Sequence, residues 1–300
     1  MNSPLVSVIV TTYNQQDTIA DCLKGISSQQ TDFEFEILVG NDCSTDNTAD
    51  ILASYVANDN RIKFFTPPSN IVSTGQSISY KLLLQHAQGQ YIAFCEGDDI
   101  WISNVKLQSQ VNFLKINPEY SACYHDYDIL TDSSIKTCKH GKRDRSAHLS
   151  DMINLMHCQL STIVIRRCCL ENKKVLEYFN HPTHCYGDIN YYASCFESGK
   201  VRYFAQKWSL YRRRINSLTS KDAIDNIAVK KHIGGLKAIV DTYGYKYRYL
   251  VRDFKCCRVL DKSSISKNKY VIYSIVQKIK AILISPMFVF RIYLIKWGLK

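Results

Sequence analysis

The sequence predicts an α/β protein built on a largely parallel sheet flanked by helices. Short β-branched segments alternate with amphipathic segments over about the first hundred residues. Successive strand-like segments recur about thirty residues apart, which is typical of a strand–helix–strand unit, and several of them end in polar residues. With 300 residues, 46% of them hydrophobic and 22% charged, the chain can bury a substantial core.

Each predicted element up to residue 101 follows from a local pattern. The strands are short apolar runs, and each helix carries apolar residues at a spacing of three or four. In order they are strand 6–10, a helix with Ile19, Leu23 and Ile26 on one face, strand 36–39, a helix over 51–56, strand 62–65, a helix over 76–88 and strand 91–95. Because crossovers are right-handed, we expect the polar strand ends to meet at one edge of the sheet.

Beyond residue 101 the alternation is weaker. The remaining predicted elements are a helix over 107–114, strand 122–124, a polar and basic loop over 131–150, strand 161–165, a helix opening at 187–193 and closing strands at 202–205 and 208–211. The run His125-Asp126-Tyr127-Asp128 could be a metal site, a loop near an acceptor groove or a solvated strand end, and the loop or strand end is favoured.

The most informative motif is the acidic group that ends the strand at residues 91–95. Glu96, Asp98 and Asp99 follow this apolar run around Gly97. Carboxylates at the carboxyl end of a strand stand where α/β sheets bind ligands, and they are hard ligands for a divalent cation. A solvated acidic turn would account for the cluster alone, so the motif indicates a ligand site only in combination with other motifs of the chain.

Cysteine usage and charge limit the class of protein. The twelve cysteines are scattered and show no C-x-x-C spacing, which favours reduced thiols in the cytoplasm over a disulfide framework or a zinc site. The amino terminus has no secretory-signal pattern. Residues 1–200 carry 16 Lys and Arg against 22 Asp and Glu, whereas residues 201–300 carry 22 against 5. The two parts of the chain are therefore expected to meet different partners.

The basic carboxyl-terminal part has two interpretations. Its aromatic and basic residues would suit a nucleic-acid surface, but no nucleic-acid motif accompanies them and no such partner is expected. The apolar run 281–290 is too short for a bilayer span, which needs about twenty residues. An in-plane amphipathic segment fits better, with Ile275, Val276, Ile279, Ile282 and Leu283 on one face. A helical subdomain packed on the first domain, or a contact of a homo-oligomer, is the alternative.

Four ordered blocks resemble glycosyltransferase family 2, whose members have the GT-A nucleotide-sugar fold and invert the sugar's configuration. The blocks are residues 6–14, 39–48, 89–92 and 96–101. The resemblance covers about the first 215 residues, so we expect a GT-A domain over 1–215, a basic helical region over 216–300 and a membrane-associating segment over 270–300.

The resemblance also implies roles for single residues. Thr11 and Tyr13 would line the uridine pocket, and Asp42 would accept a hydrogen bond from the base. Asp98 and Asp99 would hold the ribose and a Mg²⁺ or Mn²⁺ ion, in the place of the family's D-x-D motif. Asp188 would be the catalytic base, although a helix N-cap alone would explain it. Arg212 and Arg214, in the run at 212–214, would lie near the diphosphate.

Two departures from the family pattern matter. Glu96 replaces a common first aspartate, which leaves open whether Glu96 or Asp98 joins Asp99 as metal ligand, and residues 216–219 lack the usual histidine. The resemblance implies transfer of a hexosyl or N-acetylhexosaminyl group from a nucleotide-diphosphate donor, a UDP-sugar. The acceptor would be a lipid-linked saccharide at the cytoplasmic face of the membrane, in O-antigen or capsule synthesis. Transfer to a polyprenyl phosphate or a protein, and a non-catalytic nucleotide or nucleic-acid binding protein, are the alternatives.

Overall fold

The first hundred residues fold as alternating strands and helices, as their sequence pattern predicts. A computed structural model describes residues 3–71, 82–132, 134–138, 140–154, 157–184, 187–213, 227–265 and 280–297. The elements up to residue 101 are β1 (Val6–Thr12), α1 (Ile19–Ser27), β2 (Phe35–Asn41), α2 (Thr48–Asn58), β3 (Ile62–Phe65), β4 (Tyr91–Glu96) and β5 (Ile100–Trp101). Residues 76–81 of the helix predicted over 76–88 lie outside the described residues, and 84–86 form a 3₁₀ turn.

The second half contains shorter strands and more helices. Its elements are α3 (Lys106–Ile116), β6 (Tyr120–Leu130), β7 (Ile135–Thr137), β8 (Arg145–Ser146), α4 (Leu149–Asn154), β9 (Ile163–Arg166), α5 (Arg167–Leu170), α6 (Lys173–Phe179), α7 (Gly187–Ser198), β10 (Lys200–Arg212), α8 (Ile227–Tyr243), α9 (Tyr249–Ile265) and α10 (Pro286–Trp297).

Two expectations for this half were wrong in detail. The region 131–150, predicted as a loop, contributes β7 and β8 to the sheet, because β6 and β10 offer free edges to which short polar segments can pair. The two predicted closing strands are one strand, β10, which continues through register shifts near Phe204 and Lys207. A β-bulge of this kind interrupts the alternation of side chains, so the sequence pattern breaks where the strand does not.

The described strands form one mixed sheet in the order β3-β2-β1-β4-β9-β6-β10-β5. β1 pairs in parallel with both β2 and β4, as expected for right-handed crossovers. β9 lies antiparallel between β4 and β6, so β4 and β6 run in the same direction. The carboxyl ends of β2, β1, β4 and β6 therefore meet at one edge of the sheet.

The core lies on both faces of this sheet. One hydrophobic cluster contains Ile9, Leu38 and Phe94 together with residues of α7, including Ile189 and Tyr191. The other cluster contains the alternate strand residues and packs against α1 and α3. Leu236 and Ile239 of α8 also belong to the α7 cluster, so the carboxyl-terminal helices share a core with the sheet.

Candidate active site

The site is built at the carboxyl ends of β1 and β4, which pair in register. Thr11 stands opposite Glu96, and each follows by two residues a core side chain of the α7 face, Ile9 and Phe94. Because strand side chains alternate, Thr11 and Glu96 point to that same face. The Thr11 hydroxyl donates a 2.5 Å hydrogen bond to Glu96 Oε2. The helix that covers this face, α7, carries Asp188 at its amino end.

Three of the predicted acids share one electrostatic environment. The pKa of Glu96 is raised to about 7, because burial and the negative charges of Asp98 and Asp188 outweigh the lowering effect of the Thr11 hydrogen bond. Such an influence requires the three carboxyl groups to lie close together in a region of low dielectric. The structure therefore brings Glu96, Asp98 and Asp188 to one site, although they lie up to 92 positions apart in the chain.

The turn after β4 needs a glycine because the chain passes close to the end of β1. The Gly97 amide donates to the Thr11 carbonyl at 2.9 Å. A Cβ atom at this position would lie 2.3 Å from Gln15 Oε1 and 3.0 Å from the Thr11 carbonyl oxygen. The Gln15 side chain could move aside, but the Thr11 carbonyl belongs to β1, so Gly97 lets the acidic turn pass close to β1 and hold Asp98 half-buried at the sheet edge.

Asp99 is oriented differently from its neighbours. Its side chain is buried, with 1% of its surface exposed, and burial raises its pKa well above the ordinary value. Asp99 Oδ2 accepts a short hydrogen bond from the Ser161 hydroxyl, and Oδ1 accepts one from the Arg212 amide at 3.0 Å. Both oxygens of this predicted metal ligand are therefore used inside the protein, where they join the acidic turn to β10.

Ser161 is a residue that the sequence did not single out. Its hydroxyl accepts a 3.0 Å hydrogen bond from the Glu96 amide and donates to Asp99, and its carbonyl accepts from the Trp101 indole at 2.9 Å. Ser161 thus forms hydrogen bonds with three residues of the segment 96–101. Ser161 lies beside the motif only because β9 pairs with β4, and no local pattern announces that pairing.

Asp42 organises the chain beyond β2. Its amide donates to the Thr12 carbonyl at 2.9 Å, and its Oδ1 accepts from the Ile71 amide at 2.6 Å. The Asn70 side chain also donates to the Asp42 carbonyl at 2.9 Å. Asp42 is 1% exposed, whereas Tyr13 is 49% exposed. Of the two predicted base-binding residues, Asp42 is therefore buried and Tyr13 is exposed at this edge.

Asp188 begins the covering helix α7. Its Oδ1 accepts a 2.8 Å hydrogen bond from the amide of Ile189, and burial raises its pKa to about 6. A carboxylate in this environment binds a proton more tightly than an exposed one does, and it is still ionised at neutral pH. These are the properties of a general base, and they coexist with a local role at the helix end.

Arg212, one of the two predicted diphosphate arginines, is the last residue of β10. Arg212 Nε donates to the Asp98 carbonyl at 2.9 Å, and its Nη2 forms a 3.0 Å ion pair with Asp21 of α1. The Arg212 side chain therefore lies against the acidic turn. Arg214 lies outside the described residues.

The His125–Asp128 run lies within β6 and its first three residues are buried, so it is neither the loop nor the solvated strand end that the sequence favoured. Asp126 accepts hydrogen bonds from the Tyr203 hydroxyl at 3.0 Å and the Tyr127 amide at 2.8 Å, and its Oδ1 lies 2.6 Å from His140 Nδ1. This network ties the segment that carries His140 to β6. Across the described ranges, no group of three or more His, Cys, Asp or Glu side chains is arranged to hold a metal ion.

Comparison with known proteins decides the family. The family model described as "Glycosyl transferase family 2" matches residues 7–179, which is more than half of the chain. The chain belongs to glycosyl transferase family 2. This family assignment confirms the resemblance carried by the four sequence blocks.

Two relatives indicate how far the family-2 likeness extends. An uncharacterised protein of Mycobacterium tuberculosis is 27% identical over 222 residues, which span 71% of this chain and 60% of the relative. The Escherichia coli protein named UDP-Glc:alpha-D-GlcNAc-diphosphoundecaprenol beta-1,3-glucosyltransferase WfgD is 36% identical over 135 residues, or 45% of this chain and 50% of WfgD. The match thus spans about half to three fifths of these relatives' length.

Solved structures establish the fold of this family-2 chain. S. aureus TarS 1-349 in complex with UDP-GlcNAc superposes with a TM-score of 0.65 at 17% identity, covering 92% of this chain and 79% of TarS. The mannosyltransferase PcManGT from Pyrobaculum calidifontis, in complex with GDP-Man and Mn2+, gives 0.53 at 15% identity, covering 99% and 86%. The expected GT-A fold is confirmed.

Proposed function

We propose that the protein is an inverting glycosyltransferase that moves a hexosyl or N-acetylhexosaminyl group from a UDP-sugar to a hydroxyl of a lipid-linked saccharide. The observation that carries the proposal is the convergence of Glu96, Asp98 and Asp188 at the carboxyl edge of the sheet. The name of WfgD, a UDP-Glc glucosyltransferase acting on a diphosphoundecaprenol-linked sugar, supports this class of donor and acceptor. The process would be assembly of a surface polysaccharide such as O-antigen or capsule.

The donor nucleotide would bind at the ends of β1 and β2. Tyr13 offers an exposed aromatic ring for the base, and Thr11 lies beside it at the end of β1. Asp42 would recognise the base through the carboxylate that also holds the Ile71 amide. A carboxylate oxygen has more than one lone pair, so it can accept both bonds.

A divalent cation, Mg²⁺ or Mn²⁺, would be held by Asp98 together with the diphosphate. Asp98 is half-buried at the edge, whereas Asp99 already uses both oxygens inside the protein, so we assign the ligand role to Asp98 and an anchoring role to Asp99. One carboxylate with substrate phosphates is a common arrangement for Mg²⁺. The bound ion would neutralise the charge of the departing diphosphate. Arg212 and Arg214 would lie near the same phosphates.

Asp188 would take the proton from the attacking hydroxyl. Its raised pKa of about 6 leaves it ionised at neutral pH and makes it a stronger proton acceptor than an ordinary aspartate. With one base and direct displacement, attack occurs from the face opposite the leaving diphosphate, and the anomeric centre is inverted.

The reaction would take place at the cytoplasmic face of the membrane. No helix among the described residues is long and apolar enough to span a bilayer. Peripheral attachment through the basic carboxyl-terminal region would bring the site to the lipid-linked acceptor.

A thermal-shift screen tests the proposal. We expect UDP with Mn²⁺ to raise the Tm, since a ligand that binds only the folded state stabilises it by RT ln(1 + [L]/Kd), and we expect GDP to have a smaller effect. Asp98→Asn should lose most of the Mn²⁺-dependent part of this shift. A response to neither nucleotide, with tight RNA binding and no turnover of any donor, would instead favour a non-catalytic nucleic-acid binding protein.

A further inference from the structure

The segment 280–290 presents an apolar face to solvent. Residues 280–284 form a helical segment that precedes α10, and Ala281, Phe288 and Val289 pack against Cys256 of α9. The opposite side carries the four residues that we call the apolar face: Ile282 (46% exposed), Leu283 (78%), Met287 (75%) and Phe290 (59%). One side of this segment is thus part of the core and the other is apolar but exposed.

The spacing of these residues makes the face continuous. Leu283, Met287 and Phe290 follow one another at intervals of four and three, which places them along one stripe of helical chain. Exposed apolar residues that stand singly, such as Ile116 at the end of α3, are ordinary in a globular protein. Four within nine residues on one side indicate an interaction surface.

The charge around the apolar face selects the partner. Lys280 is exposed beside it. On α9, against which the segment packs, Lys255 is exposed, as is Arg252, which also forms a 3.4 Å ion pair with Asp253. The whole region 201–300 carries 22 Lys and Arg against 5 Asp and Glu. A second copy of the chain would bring like charges together, whereas an anionic surface would neutralise them.

We propose that the apolar face docks in the plane of an anionic phospholipid bilayer, with its side chains among the acyl chains and the neighbouring lysines and arginine at the headgroups. Apolar side chains flanked by basic residues are the composition of helices that lie in a membrane interface. The proposal rests on the proposed function only in that a lipid-linked acceptor would be presented by the same bilayer. It assigns the contact to four residues that the catalytic edge does not use.

Vesicle co-sedimentation of the full chain tests the docking surface. We expect binding to vesicles of phosphatidylcholine mixed with phosphatidylglycerol, weaker binding in high salt, and little binding to phosphatidylcholine alone. The double variant Leu283→Ser/Met287→Ser should weaken binding to the mixed vesicles at least about tenfold, because two large side chains no longer leave water. Ile116→Ser is the matched control, since Ile116 and Leu283 are both 78% exposed, and it should bind as the wild type does.

Three results would contradict the docking surface: no binding to either vesicle, equal binding to both, or unchanged binding of the double variant. A wild-type dimer that the double variant converts to a monomer, with vesicle binding unchanged, would assign the face to a second copy. Circular dichroism of each variant checks the fold. A chain that binds anionic vesicles through this face but shows no UDP-induced thermal shift would contradict the proposed function and still support the docking surface.

Discussion

The carboxyl edge of the sheet and the apolar face at 282–290, which we propose bind different partners, differ in how their side chains are held. At the edge, Glu96 and Asp99 are fastened by the hydroxyls of Thr11 and Ser161 before any ligand arrives. At the apolar face, Leu283 and Met287 are mostly exposed. A nucleotide-sugar donor must be held in one orientation for the reaction, so its site benefits from charges held in place, whereas a fluid bilayer requires only apolar area and charge of the right sign.

The charges of the two regions differ in the same sense. Residues 1–200 have a net charge of −6, and residues 201–300 have one of +17. On the proposed function, the acidic edge would need a cation to accept a diphosphate, while the basic helices could approach an anionic surface directly. Chemistry and attachment should therefore be separable by substitution, and each variant at the edge should leave vesicle binding unchanged.

The largest expected effect separates transfer from attachment. Asp188→Asn should lower kcat by about 10²- to 10⁴-fold, since it removes the general base, while UDP affinity and vesicle binding stay within about twofold. Because the pKa of Asp188 is raised to about 6, the wild-type rate should also fall as the pH drops through about 6. Initial rates with UDP-sugar donors across this pH range give both results. An unchanged kcat would remove Asp188 from catalysis and leave it as a helix-terminal residue.

A smaller effect tests whether the edge is organised in advance. Ser161→Ala leaves Asp99 Oδ2 and the Glu96 amide without their partner, so we expect a loss of about 1–3 kcal/mol in the free energy of unfolding. UDP affinity in the presence of Mn²⁺ should also fall about tenfold, because Ser161 fixes Glu96 and Asp99 on either side of the proposed ligand Asp98. Denaturant titration and calorimetry measure the two quantities.

Ser194→Ala is the matched control for this experiment. Ser194 is fully buried, and its hydroxyl donates to the Cys169 carbonyl on α5, away from the acidic motif. Both variants should lose stability, but only Ser161→Ala should lose UDP affinity. Equal UDP affinities in the two variants would mean that Ser161 serves packing alone.

The smallest effect concerns how stability at the edge depends on pH. The pKa of Glu96 is raised from 4.5 to about 7, so between these values the folded chain binds more protons than the unfolded chain. The free energy of unfolding contributed by Glu96 therefore falls as the pH rises through this window. Glu96→Gln should raise the Tm by about 2 °C or more at about pH 8 and by less at about pH 5. The exposed Glu34→Gln is the control and should show no such difference, and equal shifts at both pH values would contradict the burial of a charge at Glu96.

Local sequence patterns predicted the strands of the first hundred residues well. The β-branched runs became β1 and β2, the apolar run before Glu96 became β4, and the polar strand ends met at one edge. These elements depend on neighbouring residues and on right-handed crossovers, which operate within about thirty residues. The interval 131–150 was harder, because β7 and β8 are short polar strands that exist only where β6 and β10 offer an edge for pairing.

The division at residue 215 and the roles of Thr11, Tyr13, Asp42, Asp98, Asp188, Arg212 and Arg214 remain predictions. The family resemblance supplied these residues, and the structure adds how several of them are held. Asp99 and Arg212 show how the predicted roles differ from the observed contacts. The chain positions suggested a metal ligand and a phosphate contact, whereas the folded contacts make them partners of each other and of Ser161, Asp98 and Asp21.

The sequence by itself determined the family, the parallel strands, the acidic motif at a strand end and the basic character of the last hundred residues, since each is written in adjacent residues or in composition. Only the tertiary structure decided that Ser161 hydrogen-bonds to the acidic turn and that the charge of Asp188 raises the pKa of Glu96. It also decided that Leu283 and Met287 face outward. These depend on the antiparallel insertion of β9 between β4 and β6, and on how helices pack. Both are set by contacts between residues far apart in the chain, which no local pattern encodes.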